Sequence, residues 1–153
     1  MPVARRSRTV GASPQEVWAV IADPHHLPRW WPGVKRMEAV EDDRFTQVLT
    51  TKKGRAVRMD FRILKREPPA PGDDQPGRCV WEQEIEGTPF ARVLGEAVTE
   101  VVVEPVDGGT DVTLALTQRL RGYSRTGGFL LRRASREKLD EALDGLERIF
   151  TAS

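Results

Sequence analysis

Cysteine and histidine are scarce in this chain, and each scarcity removes a class of chemistry. A lone Cys79 leaves no internal disulfide to form. With only two histidines, adjacent at His25 and His26, a Cys/His zinc set cannot be assembled, and neither a metal nor a cofactor is expected. Gly-x-Ser-x-Gly, His-Glu-x-x-His and P-loop patterns are all missing, so no nucleophile elbow, zinc-protease helix or phosphate cradle is predicted. No apolar run approaches the length that crosses a bilayer. The opening MPVARRSRTV runs into Ser-Pro rather than into the hydrophobic stretch of a signal peptide. Integral membrane association is therefore not expected, and the cytosol is the default compartment. A net charge of +1 supplies no field to draw in nucleic acid or an anionic surface. There is no fixed-period repeat, heptad array or low-complexity tract.

What is present suits one core. At 153 residues the chain has room for one domain, spanning 1–153, and too little for two comfortable ones. Val3 to Val10 sets β-branched residues among arginines and stops at Gly11, as a short strand with one wet face does. A helix follows, with Ser13 as N-cap, Pro14 in the first turn and Glu16 three residues past the cap. Val17, Trp18, Val20 and Ile21 give it an apolar face. Asp23-Pro24 ends it, and His25 to Trp31 reads as a second short helical turn before Pro32-Gly33.

From Val34 to Leu120 the hydrophobic period becomes two, and turn signals cut the segment into six strands. Val57, Met59, Phe61 and Ile63 alternate with Arg58, Asp60 and Arg62. Cys79, Trp81, Gln83 and Ile85 alternate with glutamates, and Val112 through Leu120 repeats the pattern. Each strand thus has one buried and one wet face, as an antiparallel sheet allows. Small Gly95, Ala97 and Thr99 would let a helix approach closely. The last element is a long helix from about Gly128 to Thr151, with Leu139, Ala142, Leu143, Leu146, Ile149 and Phe150 at helical spacing. The predicted class is α+β: a seven-stranded curved antiparallel sheet gripping a long C-terminal helix, with two short helices between strands one and two. Such a sheet leaves space where the helix is poorly anchored.

That order, with the Ala12-Ser13-Pro14-Gln15-Glu16-Val17-Trp18 opening, the Trp30-Trp31-Pro32-Gly33-Val34 turn, the Gly108-Gly109-Thr110-Asp111-Val112-Thr113 hairpin and the closing amphipathic helix, resembles the START-like superfamily, also called SRPBCC. Its members include polyketide cyclase/dehydrase-like proteins and lipid-transfer domains. The resemblance covers nearly the whole chain and implies a helix-grip fold around an apolar cavity, a scaffold on which binding and catalysis are both grafted.

Within that frame, Gln47, Gln83 and Gln118 stand among apolar neighbours on three strands. They either point into the cavity toward a ligand's carbonyl or hydroxyl, or bond helix ends at the sheet margin. Trp30, Met59, Phe61 and Trp81 are a cavity wall on one reading and plain core on the other. Adjacent Trp30 and Trp31 cannot both point inward from one turn; the sequence leaves open which one does, and Trp30 stands among the candidate ligand-binding residues. The helical stripe projects back onto Leu131, Arg132 and Ser135, which makes the front of the last helix a polar gate. Arg132 either pairs with a ligand's carboxylate or phosphate or keeps its head in water. Tyr123, before Gly127-Gly128, is a mouth cap, a phenol donor or a loop anchor. Histidine is the side chain suited to acid–base work near neutral pH, but His25 and His26 lie in a loop that argues for solvation or capping. Glu82, Glu84, Glu96 and Glu100 fall on the wet face and are expected to pair with strand arginines, those of the first strand included.

Three functions fit. The first is binding of a small hydrophobic molecule, a lipid, polyketide-like or aromatic metabolite, in the cavity. The second is a metal-free cyclase or dehydratase in which groups such as Gln83, Gln118 or Tyr123 polarise carbonyls. The third is a protein-interaction module, which a large exposed apolar patch would mark.

Overall fold

A computed structural model describes residues 3–70, 75–121 and 125–151, with side chains of the last segment from Leu131 onward. The elements run β1 (Val3–Val10), α1 (Pro14–Ile21), a 3₁₀ turn (Pro24–His26), α2 (Leu27–Trp30), β2 (Val34–Glu38), β3 (Arg44–Thr50), β4 (Ala56–Glu67), β5 (Gly77–Gln83), a second 3₁₀ turn (Pro89–Arg92), β6 (Leu94–Val106), β7 (Gly109–Leu120) and α3 (Arg125–Thr151). The strands form a seven-stranded sheet in the order β1-β7-β6-β5-β4-β3-β2, every neighbouring pair antiparallel. This is the α+β helix-grip arrangement expected from the period-two segments, with short helices between the first two strands. Helix α3 starts three residues earlier than the apolar stripe suggests, at Arg125 rather than Gly128.

Local chemistry places the turns. The Ser13 hydroxyl accepts the Glu16 backbone N–H at 3.2 Å and donates to the Glu16 carboxylate at 3.0 Å, closing the first turn of α1. Where β7 starts beside the end of β1, a Cβ on Gly109 would sit on the Val10 carbonyl oxygen, and φ is +153°. Only glycine fits that position. Next to it the fully buried Thr110 hydroxyl donates to the Ala12 carbonyl at 2.6 Å, tying the hairpin to the entry of α1.

Among the described residues helix α3 comes closest to β1 and α2, and less to β7. Leu139, Ala142, Leu143 and Leu146 are fully buried. The helix is held from the outside by β1: Arg6 meets Asp140 at 3.5 Å, and Arg8 bonds Asp144 and, at 3.1 Å, Glu147. Arg6 and Arg8 therefore pair with the helix and not with the glutamates of the sheet. They share the parity of buried Ala4 and Val10, so alternation sends them to the helix side. The sheet glutamates take other arginines: Arg62 with Glu82, Arg44 with Glu84, Arg119 with Glu96 and Arg78 with Glu100.

Gly145 lets α2 and α3 touch, since a Cβ there would lie 2.5 Å from the Trp30 carbonyl oxygen. Gly95 has a different role from the one its size suggested. It makes room for the Arg119 guanidinium of the neighbouring strand, 3.1 Å from where its Cβ would be. With α3 drawn to one side, the inner face of β3 to β6 is left to be covered by its own aromatic side chains and by Trp31.

Candidate functional site

The sheet's inner face carries an aromatic chain. Phe45 stacks on Phe61 with ring centres 5.3 Å apart, Phe45 meets Trp81 edge-on at 6.0 Å, and Trp31 meets Trp81 edge-on at 6.1 Å. Between this wall and α3 lies a cavity enclosing about 50 Å³. Its lining comes from Gln47 and Leu49 of β3, Met59 and Phe61 of β4, Trp81 and Gln83 of β5, Ala97 and Thr99 of β6, Leu116 and Gln118 of β7, then Trp31 and Lys138. Five successive strands each contribute two residues of one parity, which is the alternation of a pleated sheet read on its concave side. Larger hollows exist on the surface, two of about 430 Å³. Both are open grooves with charged rims, one beside α2 and Glu141, Asp144 and Arg148, the other beside Asp23 and Arg66.

The structure brings Gln47, Met59, Phe61, Trp81, Gln83 and Gln118 onto one wall. It separates the others. Trp31, not Trp30, faces the cavity: α2 ends at Trp30, whose backbone abuts Gly145, and Trp31 takes an extended conformation that swings its ring toward Trp81. Trp30 is buried behind it, edge-on at 5.4 Å, with its indole N–H unpartnered. Leu131 is half-buried and Arg132 exposed, and neither lines the cavity. Arg132 thus fits the reading of a head kept in water. Ser135 is buried and its hydroxyl donates to the Gln118 carbonyl oxygen at 3.0 Å, so that amide oxygen is engaged by the helix. Tyr123 lies outside the described residues.

Gln83 differs from Gln118. It is 5% exposed, and its Nε2 has no hydrogen-bond partner among the described residues. An amide donor left unpaired in such a place costs about 1–3 kcal/mol. It sits on the cavity wall between Trp81 and the end of β5, available to an acceptor that enters.

Lys138 is the lining residue the sequence reading passed over. A signal for it existed: counting from Leu131 and Ser135, the next residue on the same helical face is 138, ahead of Ala142. A lysine on an amphipathic helix reads by default as solvent-facing, and the residue does keep exposed surface. Its surroundings are nonetheless crowded enough that burial lowers the ammonium's pKa from the ordinary lysine value, with Glu141 acting in the opposite direction.

The histidines stand elsewhere. His25 and His26 flank Asp23 on the outer turn, with the His25 ring 2.8 Å from that carboxylate. Burial alone would raise the Asp23 pKa, but the hydrogen bonds from the His25 backbone and ring, with the charges of both histidines, hold it below the usual range. Cys79 is buried outside the cavity lining, and desolvation pushes its thiol up to about 11, slightly offset by Arg66. Among the described residues no group of three or more His, Cys, Asp and Glu side chains is placed to hold a metal, and no helix is long and apolar enough to cross a membrane.

A family model described as polyketide cyclase / dehydrase and lipid transport matches residues 1–151. The chain belongs to that family. Solved structures similar to this polyketide cyclase/dehydrase-family chain include a Deinococcus radiodurans protein, 23% identical at TM-score 0.63 with 95% of each chain covered. A START superfamily protein from Mycobacterium smegmatis superposes at TM-score 0.72 with 11% identity and 97% of each chain covered. BexL, the di-domain ARO/CYC protein of the BE-7585A biosynthetic pathway, is 26% identical at TM-score 0.73; the match covers 97% of this chain and 46% of BexL. No curated protein matches this family member significantly.

Proposed function

We propose that this chain binds a small, largely apolar molecule between the concave face of its sheet and helix α3. The observation that carries the reading is Gln83: a buried, unpaired amide donor on a wall otherwise built from Trp31, Phe61, Trp81, Met59 and Leu116. A protein filling this space only to support its fold gains nothing from an amide there, whereas a ligand oxygen would satisfy it. The enclosed 50 Å³ is smaller than the few hundred Å³ typical of drug-sized ligands. Binding therefore displaces the half-buried Met59 thioether, a flexible group suited to re-packing.

Tryptophan fluorescence tests the reading, because Trp31 and Trp81 line the site. A naphthalene or fatty-chain probe is expected to shift their emission saturably, and Trp81→Ala to weaken the response at least tenfold. Saturable binding that is indifferent to Trp81 would place the ligand elsewhere.

The likeness to BexL, a di-domain ARO/CYC protein, and the polyketide cyclase / dehydrase family favour a second reading, a metal-free cyclase or dehydratase. In that reading the cavity would hold a reactive carbonyl chain in one conformation while Gln83 polarises a carbonyl. Proton transfer would fall to Lys138, the ionisable group among the described lining residues, since His25 and His26 lie on the outer turn. Turnover of a poly-β-carbonyl thioester analogue, lost in Lys138→Met and retained in His25→Ala, would decide for it.

A further inference from the structure

We infer that the molecule held in this cavity is an apolar acid, whose carboxylate or equivalent oxyanion is taken by the Lys138 ammonium while a second oxygen accepts from Gln83 Nε2. This rests on the binding reading above and specifies the ligand's chemical class.

The described lining is aromatic, aliphatic, amide and hydroxyl except at one position, where Lys138 supplies a full positive charge. Two nearby carboxylates on the helix are taken by arginines: Glu137 meets Arg133 at 3.6 Å, and Asp140 meets Arg6 at 3.5 Å. Lys138 makes no ion pair with any described carboxylate. An ammonium at the edge of an apolar space, with no described carboxylate in ion-pair contact and Glu141 acting on it only at longer range, is in the situation that a ligand anion relieves, because charge-assisted hydrogen bonds are about twice as strong as neutral ones. Gln83 shows the same incompleteness in neutral form, a donor with no acceptor, 5% exposed. Gln83 Nε2 and the Lys138 ammonium are both donors, which selects a ligand that brings acceptors: an oxyanion for the ammonium and a carbonyl, ether or hydroxyl oxygen for the amide. The apolar remainder of the wall selects the ligand's body. Burial lowers the Lys138 pKa in the empty site, and an arriving anion would act against that shift.

The test is a pair of probes of one shape, 2-naphthoate and the neutral methyl 2-naphthyl ketone, titrated by calorimetry and tryptophan fluorescence at pH 7. The wild type is expected to bind naphthoate about tenfold or more tightly than the ketone. Lys138→Met is expected to lose that preference and still bind the ketone, Lys138→Arg to keep most of it, and Gln83→Leu to weaken both probes. A thermal melt of each variant checks that the fold is intact. Equal affinity for the two probes, or a preference unchanged in Lys138→Met, overturns the acid-ligand inference and leaves the cavity-binding reading standing. Failure of the wild type to bind either probe overturns both.

Discussion

Three side chains carry the account, and each yields an expectation of its own. Gln83 keeps an unpaired amide where an isosteric leucine would pack, so Gln83→Leu should raise stability in urea by about 1 kcal/mol while ligand binding falls. A loss of stability would mean the amide is already satisfied. Lys138 has a folded-state pKa below its ordinary value of 10.5, so the unfolded chain binds more protons between the two values and stability from this group rises with pH across that window. Its penalty is full below the folded pKa and gone above 10.5. Lys138→Met should therefore be slightly more stable than wild type at pH 7, with the advantage vanishing above pH 10.5 and kept small throughout by the residue's exposure. Cys79 is buried, with its thiol pushed up to about 11, so a thiol reagent at pH 8 should label it only as fast as the protein opens. Rapid labelling of the native protein would contradict that placement.

The strands were legible in the sequence because their alternation is governed by one local rule, and the same rule put Gln47, Met59, Phe61, Trp81, Gln83 and Gln118 on a common face. What escaped depended on how elements meet. Which of Trp30 and Trp31 faces the cavity is decided where α2 stops after one turn and Gly145 of α3 abuts the Trp30 backbone, a contact between segments more than a hundred residues apart. Arg6 and Arg8 share the inward parity of Ala4 and Val10, but their partners Asp140 and Asp144 depend on where α3 lies against β1, a meeting of distant elements. Lys138 escaped through the habit of reading lysine as surface. The α2 and α3 contact can be tested directly: Gly145→Ala puts a methyl 2.5 Å from the Trp30 carbonyl oxygen and should cost about 1–3 kcal/mol or more in denaturant. Gly11→Ala, where a Cβ meets nothing within 4 Å, is the matched control and should change little. Equal effects would show that α2 and α3 do not touch at this glycine.

Taken whole, the molecule separates support from site. Helix α3 is secured along β1 and α2 by its buried leucines and by the ion pairs of Arg6 and Arg8, while the concave face of β3 to β6 stays open to the cavity. Substitutions on the first side should change stability, and those on the second should change binding with little loss of fold. Ala97, small and on the cavity floor, offers the cleanest division, since Ala97→Phe fills the space from a strand whose other contacts are unchanged. The decisive measurement is native mass spectrometry of gently purified wild-type protein beside Ala97→Phe, with extraction and identification of any bound small molecule and a melting curve for each. The account expects a stoichiometric apolar adduct on the wild type that is missing from a folded Ala97→Phe variant. An adduct that persists unchanged when the cavity is filled would contradict it.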